Sequence, residues 1–210
     1  MKIIDNFELF KSWFDKLEKP EEFYFVQIIQ RKKDGNELPS YTSGARTLRS
    51  FYFFDLEHFE REEKHIKEIC DNNNARAYFW VNVRNTKEIA FACVKQFIEL
   101  IEQGNTNQGL AVWDRACGAN QSKDHEKLWI IDIDKEQLEH RKAIIDVLLK
   151  CRRNEPNCVK YVIPTLNGEH WLSTKFDRRA FPMSLDKLNI PVPDIHKNNP
   201  TLLYYKSCQD

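Results

Sequence analysis

Apolar and polar positions recur with two different periods along this chain, and the periods separate predicted helices from predicted strands. Apolar residues at helical spacing predict helices over residues 6–18, 56–71, 85–102 and 135–150. Runs rich in β-branched and aromatic residues predict strands over residues 23–30, 47–54, 75–83 and 128–134, a hairpin over 158–176 and a last strand over 201–205.

The order of these elements predicts an α+β fold. Directly successive strands mixed with helices favour a mostly antiparallel sheet with covering helices. Residues 106–126 show no periodic pattern, so we expect them to form a linker within one compact, two-lobed domain. The linker would join an N-terminal α/β module of residues 1–105 to a C-terminal half of residues 127–210.

The predicted strand at residues 128–134 ends in two carboxylates. Asp132 and Asp134 are two positions apart, so their side chains project from the same face of a strand. Two carboxylates at this distance repel each other unless a cation lies between them, and Mg²⁺ takes one or two carboxylates together with substrate phosphates. The pair therefore predicts a metal site, with a structural alternative in which Asp134 is the N-cap of the helix that follows.

A second candidate residue lies on the predicted hairpin. Asn167 and Gly168 separate two apolar runs, which is a strong hairpin signal. The chain returns through Glu169 and His170. His170 therefore lies on a strand that can neighbour the strand of the two carboxylates.

These residues resemble the archaeo-eukaryotic primase and primase-polymerase superfamily. That family carries a strand ending in Asp-x-Asp, a small-x-His motif on a later strand, and a third acidic residue. Asp132 and Asp134 resemble the first motif, Gly168-Glu169-His170 the second, and Asp194 the third. The resemblance covers about the C-terminal half. The whole chain also resembles a group of phage-encoded proteins.

The resemblance implies an RRM-like catalytic half that performs metal-dependent nucleotidyl transfer during DNA replication, in primer or strand synthesis. Asp132, Asp134 and Asp194 would bind two Mg²⁺ or Mn²⁺ ions. His170 would hydrogen-bond a phosphate oxygen of the bound nucleotide. The expected partners are nucleic acid, nucleoside triphosphates and other replication or host proteins.

Further residues are expected to bind phosphate groups. In the resembled family a basic residue near the histidine strand contacts the triphosphate, which implies a role for Lys175, with Arg178 nearby and Gly168 in the motif itself. Lys175 as an ordinary exposed residue is the alternative. Five basic residues of the N-terminal module form a weaker nucleic-acid-binding candidate: Arg31, Lys32, Lys33, Arg46 and Arg49. Their alternative is a solvated hairpin edge.

Two other functions use the same residues. Metal-dependent phosphodiester hydrolysis also needs two carboxylates and a histidine. A degenerate primase-like fold would instead bind nucleic acid or a host protein without catalysis. The equal numbers of basic and acidic residues, 32 each, count against binding nucleic acid through bulk charge.

Other features of the sequence indicate the cellular compartment and the state of the cysteines. The sequence contains no run of about 18 apolar residues, and its start lacks a signal-peptide pattern, so we expect a cytoplasmic protein with no membrane partner. A phage origin would place it in the cytoplasm of the host cell. The six cysteines are scattered, and we expect reduced thiols, with Cys151 and Cys158 as a pair that an oxidising compartment would allow.

Overall fold

The computed structural model describes residues 2–40, 44–151 and 159–207. Its strands are β1 (Ile3–Asp5), β2 (Glu22–Arg31), β3 (Ala45–Phe53), β4 (Arg76–Asn85), β5 (Trp129–Asp134), β6 (Val159–Pro164), β7 (Gly168–Ser173), β8 (Asp194–His196) and β9 (Pro200–Lys206). Its α-helices are α1 (Phe7–Lys11), α2 (Leu56–Asn72), α3 (Thr86–Glu102), α4 (Val112–Ala119), α5 (Arg141–Lys150) and α6 (Ala180–Asp186). The strand pairings with a described register are antiparallel, as the predicted α+β class requires.

The chain divides into two compact units. The first contains Met1–His125 together with Leu202–Asp210, and the second contains Glu126–Thr201. These boundaries differ from the expected ones at two places. The segment expected to be a linker lies mostly in the first unit, and so does most of the last strand, because β9 pairs with β1 there.

A five-stranded sheet in the order β1-β9-β4-β2-β3 organises the first unit. An aromatic cluster from α1 and α2 packs on one face. The Phe10 ring stacks on Phe79 at 4.2 Å, and the Phe59 ring meets Phe53 edge-on at 5.2 Å. The predicted first helix is shorter than expected, because α1 ends at Lys11 and a 3₁₀ turn (Phe14–Lys16) follows.

Helices α3 and α4 pack on the other face of this sheet. Phe23 and Phe25 of β2 form a core cluster with buried side chains of both helices. Val112, Ala116 and Cys117 of α4 are buried in it, and a 3₁₀ helix (Thr106–Ala111) joins α4 to α3. The segment predicted as a linker is therefore largely helical. The apolar residues of α4 lie on one side of the helix and pack in this core cluster.

The second unit contains a four-stranded antiparallel sheet in the order β6-β7-β5-β8. Its chain order is β-α-β-β-α-β, with the first helical segment between β5 and β6 and α6 before β8. Helices α5 and α6 cover one face, where Ile131 and Ile133 of β5 pack with Ile144, Leu148 and Phe181. The other face of this sheet carries the candidate site.

Two elements of the second unit differ from the predictions. The helix predicted over residues 135–150 is divided into a 3₁₀ helix (Lys135–His140) and α5. Asp194, which follows a Pro-containing stretch and lies in none of the predicted strands, begins the short strand β8. Ile195 packs against the core, whereas Asp194 and His196 face the other way. This alternation covers only three residues, which is too short a pattern to predict a strand.

Within the described residues, no helix is long and apolar enough to cross a membrane. Cys70, Cys93, Cys117 and Cys151 are free thiols there. Burial raises the pKa of the Cys70 thiol to about 12. Cys158, the proposed partner of Cys151, lies outside the described residues, as do Cys208 and positions 41–43.

Candidate functional site

Three of the predicted catalytic residues lie side by side across the sheet of the second unit. Asp132 of β5 is directly opposite His170 of β7 and also directly opposite Asp194 of β8. Residues directly opposite each other on neighbouring strands share one face, with Cβ atoms about 5 Å apart. The sheet therefore gathers these three residues, which are far apart in sequence, into one row, here called the acidic row.

The alternation of β5 explains which face carries the row. Trp129, Ile131 and Ile133 belong to the core under α5 and α6. Asp132 and Asp134 occupy the intervening positions, so they point to the opposite face. The apolar residues of the strand thus fix the direction of its carboxylates.

His170 is held between two oxygen atoms. Its Nδ1 lies 2.8 Å from Oγ1 of Thr201, and its Nε2 lies 3.4 Å from Oδ1 of Asp132. A carboxylate beside Nε2 favours a proton on that nitrogen, so in the neutral ring the Thr201 hydroxyl donates to Nδ1. The 3.4 Å distance exceeds the usual hydrogen-bond range, so Nε2–H remains able to donate to another acceptor.

Thr201 positions the imidazole ring. Its exposure is 0%, whereas the side chains of His170 and Asp132 are 14% and 36% exposed. A fully buried hydroxyl cannot reach a substrate, so it acts on the site through His170. No sequence pattern indicates this role, because Thr201 only begins an apolar strand and no spacing links it to His170.

Asp134 has the structural role that was the alternative to metal binding. It is exposed, it is the N-cap of the 3₁₀ helix that follows, and it forms a capping box with Gln137. The backbone N–H of Asp134 donates to Oε1 of Gln137 at 2.9 Å. Its carboxylate therefore caps the first turn of the 3₁₀ helix, two residues further along the chain than Asp132 of the acidic row.

Gly168 allows β5 and β7 to approach closely. A Cβ atom at this position would collide with the carbonyl oxygen of Ile133 and would lie 2.9 Å from its carbonyl carbon. Glycine therefore permits the pairing that puts His170 opposite Asp132, two residues further along β7. The motif glycine was expected to bind phosphate, and its contacts in the structure are with the neighbouring strand.

Lys175 and Arg178 are not brought to the acidic row. β7 ends at Ser173, so Lys175 lies two residues beyond the strand, and its neighbour Phe176 packs in the core under α5 and α6. The chain then enters the helical layer, since the N–H of Asp177 donates to the carbonyl of Cys151 at 3.1 Å at the end of α5. Arg178 follows Asp177 directly in the chain, at an exposed turn position before α6.

The five basic residues of the first unit do not form one patch. Arg31 donates to the Tyr78 hydroxyl at 2.9 Å, on the face that also carries Gln27. Arg49 lies 2.9 Å from Nε2 of His65 on α2, which is on the opposite face of the sheet. Arg46, paired with Gln30, shares that second face, whereas Lys32 and Lys33 lie in a 3₁₀ turn after β2.

The acidic row contains carboxylates, which are ligands of hard divalent cations, but it does not supply a complete set of protein ligands. Among the residues that the structure describes, no three His, Cys, Asp or Glu side chains are grouped closely enough to hold a metal ion. Asp132 and Asp194 are directly opposite each other, and like charges in that arrangement are destabilising unless a cation offsets them. Two carboxylates fit an ion such as Mg²⁺ that completes its shell with water and substrate phosphates.

No family model matches the chain, and searches of curated proteins and of solved structures returned no similar protein. The functional assignment therefore depends on the geometry and chemistry of the site. In the second unit, the sheet brings together Asp132, His170 and Asp194, which the family resemblance assigns to three separate motifs.

Proposed function

We propose that the second unit is the catalytic half of a metal-dependent nucleotidyltransferase of the primase-polymerase type. One observation carries the proposal: Asp132, His170 and Asp194 occupy one cross-strand row on the sheet face opposite α5 and α6. The alternation of the first strand, the hairpin signal and the resemblance to the family's motifs predict these three residues. Their alignment on three neighbouring strands supports a common site.

Asp132 and Asp194 would hold the ion, and Asp134 would cap the adjacent helix. A bound Mg²⁺ or Mn²⁺ would lower the pKa of an attacking hydroxyl and offset the charge of a triphosphate. The 36% exposure of the Asp132 side chain leaves it accessible to such a ligand from solvent. The proposed metal site therefore has two carboxylate ligands, Asp132 and Asp194, whereas the motifs imply three.

His170 would orient the nucleotide. Its Nε2 lies 3.4 Å from Oδ1 of Asp132, so Nε2–H can donate a hydrogen bond to a phosphate oxygen of the nucleotide. Thr201 holds the other nitrogen, which keeps the ring from rotating away. The side chain thus provides positioning and charge stabilisation, the two contributions that dominate phosphoryl transfer.

The topology of the second unit supports this proposal. Its β-α-β-β-α-β order, with β5 and β7 in the centre of the sheet, is a split βαβ arrangement. The resemblance to the primase-polymerase family implies an RRM-like catalytic half, which has this arrangement. That implication requires the Asp-x-Asp strand in a central position of the sheet, which is where β5 lies.

A binding role without catalysis is the second candidate, and two observations favour it. The described residues contain no preformed three-ligand metal group, and Lys175 and Arg178 lie beyond the end of β7. A degenerate fold would keep the sheet and lose the nucleotide contacts. It would still bind nucleic acid or a protein partner.

The test is nucleotide incorporation on a labelled, primed DNA template with Mn²⁺ and either deoxynucleotides or ribonucleotides. We expect extended products from the natural sequence and at least a roughly 100-fold loss in Asp132→Asn and in Asp194→Asn. Asp134→Asn is the matched control, because asparagine caps helices as well as aspartate does, and it should retain activity.

The products separate the candidate functions. Shortened labelled strands that depend on Asp132 would assign hydrolysis in place of synthesis. Unchanged strands with every metal and nucleotide, from protein that still binds the template, would assign a binding role and contradict the proposal. Equal losses in all three variants would contradict the division between two ligands and one helix cap.

A further inference from the structure

The proposed site needs a second phosphate contact, because the basic residues expected to supply one lie elsewhere. Lys175 and Arg178 follow the end of β7. Lys197 follows β8, and its Nζ lies 5.5 Å from the centre of the Trp129 ring. Trp129 belongs to the core under α5 and α6, so Lys197 is directed toward the face opposite the acidic row. A phosphate contact on the acidic side must therefore come from another side chain.

His196 lies on the same face of the sheet as the acidic row. It is two residues from Asp194 on β8, about 6.8 Å along the strand. Ile195 between them packs against the core, so Asp194 and His196 both project to the other side. His196 is directly opposite Ile130 of β5, which makes it a diagonal neighbour of Asp132. Diagonal neighbours are about 7–8 Å apart, within reach of an aromatic side chain.

The imidazole of His196 is available to a ligand. The residue is half-buried, and no side-chain hydrogen bond, ion pair or ring contact joins it to another residue within 2–40, 44–151 or 159–207. His170, in contrast, is held by Thr201 at 2.8 Å. An imidazole ring has at least one N–H donor in either charge state. His196 therefore adds a donor to the acidic side of the sheet that no described residue occupies.

This donor does not complete the ligand set of the ion. Among the described residues, no three His, Cys, Asp or Glu side chains are close enough to hold one metal ion, and this includes His196. The imidazole is therefore placed to contact what the ion itself binds. In the proposed function that ligand is a chain of phosphates, whose charged oxygens are strong acceptors for an imidazole N–H.

The two histidines lie on either side of the metal ligands. His170 is on β7 opposite Asp132, and His196 is on β8, two strands away and two residues further along. A strand spacing of about 4.8 Å and a rise of about 3.4 Å per residue put their Cα atoms about 12 Å apart. A phosphate chain that bridges the ion can reach both imidazoles, whereas a single phosphate on the ion can reach only one.

We infer that His196 binds the far end of the phosphate chain of the substrate and thereby selects triphosphates over monophosphates. This inference rests on the proposed function, because it concerns the same site. His170 and His196 would hold the chain at its two ends, with the ion on Asp132 and Asp194 between them. The contact that the resemblance assigns to a lysine after β7 is then made from β8, on the other side of the strand that carries Asp132.

Calorimetric titration of the full chain with Mn²⁺ and either inorganic triphosphate or inorganic phosphate tests the inference without a base or a sugar. His196→Phe keeps an aromatic ring and removes the N–H donor. It should weaken triphosphate binding by about 10–100-fold, the worth of one hydrogen bond to a charged group, and change phosphate binding by less than about threefold. His196→Gln keeps an N–H donor and should recover most of the triphosphate affinity. His140→Phe is the matched control, because His140 is a histidine of the same unit with 35% of its side chain exposed, in the 3₁₀ helix before α5.

The outcomes distinguish the role of His196 from the proposed function. Triphosphate binding that requires Asp132 but is unchanged in His196→Phe would overturn the role of His196 and leave the metal site in place. Equal losses for triphosphate and phosphate in His196→Phe would show a structural effect on the site and would overturn the selectivity. A natural chain that binds neither anion with Mn²⁺ would contradict the proposed function itself, and the role of His196 with it.

Discussion

Replacing Thr201 by valine should loosen the imidazole of His170 without changing the shape of the site. Valine has nearly the volume of threonine but lacks the hydroxyl, so Nδ1 of a side chain that is 14% exposed loses its partner at 2.8 Å. An unsatisfied buried acceptor costs about 1–3 kcal/mol. At roughly 3 °C per kcal/mol for a chain of this size, Tm should fall by about 3–9 °C.

Thr201→Ser is the matched control, because it keeps the hydroxyl and loses one methyl group, worth about 0.8 kcal/mol. Calorimetry and urea unfolding of both variants, alone and combined with His170→Leu, give the coupling between the two side chains. We expect a coupling energy of about 1 kcal/mol. Additive effects, or a valine variant no less stable than the serine variant, would refute the positioning role of Thr201.

Three further predictions follow from buried groups. Gly168→Ala should lower Tm and displace His170, because its Cβ would collide with the Ile133 carbonyl, and the shift would appear in the His170 NMR signals. Burial alone would raise the pKa of Glu22, but the N–H groups of Glu18 and Lys19 and the His125 ring hold it below its ordinary value. Its stabilisation is therefore present above about pH 4.5 and is lost as pH falls through the lower folded-state pKa, and Glu22→Gln should remove that pH dependence of urea unfolding. Burial lowers the pKa of Arg84 to about 9, and Arg84→Ala should destabilise the first unit by about 2–5 kcal/mol, more than Arg84→Met, which fills the space.

The elements that the sequence predicted well have long, regular patterns. β5 and the β6–β7 hairpin follow from an apolar, β-branched run and from the turn signal at Asn167-Gly168. The alternation in β5 also determined the face of Asp132 correctly. Pairing between strands cannot be read from one strand, so the position of His170 opposite Asp132 required the structure.

The elements that were missed are short or depend on distant contacts. β8 has three residues after a Pro-rich segment, and only its pairing with β5 makes it a strand. Helix α4 is buried by residues of β2 and α3, which a window of eight residues does not reveal. Thr201 contacts His170 from a separate strand, so no local pattern indicates its role.

Helix α3 shows what a periodic pattern cannot predict, namely which apolar residues are buried. Its apolar residues predicted the helix correctly, and Ile89 is buried as a core residue should be. Val94, Phe97, Ile98 and Ile101 belong to the same pattern but are exposed. Periodicity identifies apolar faces, and only the packed structure shows which face has a partner within the chain.

The most direct test of the catalytic proposal is thermal unfolding with Mn²⁺ and a nucleoside triphosphate. A ligand at about 100 times its Kd stabilises the folded state by about 2.7 kcal/mol, which corresponds to a rise in Tm of roughly 5–10 °C. We predict this rise for the natural chain and for Asp134→Asn, and its loss in Asp132→Asn and Asp194→Asn. A metal-dependent rise of the same size in all four proteins, or in none of them, would contradict the assignment of the acidic row as a metal and nucleotide site.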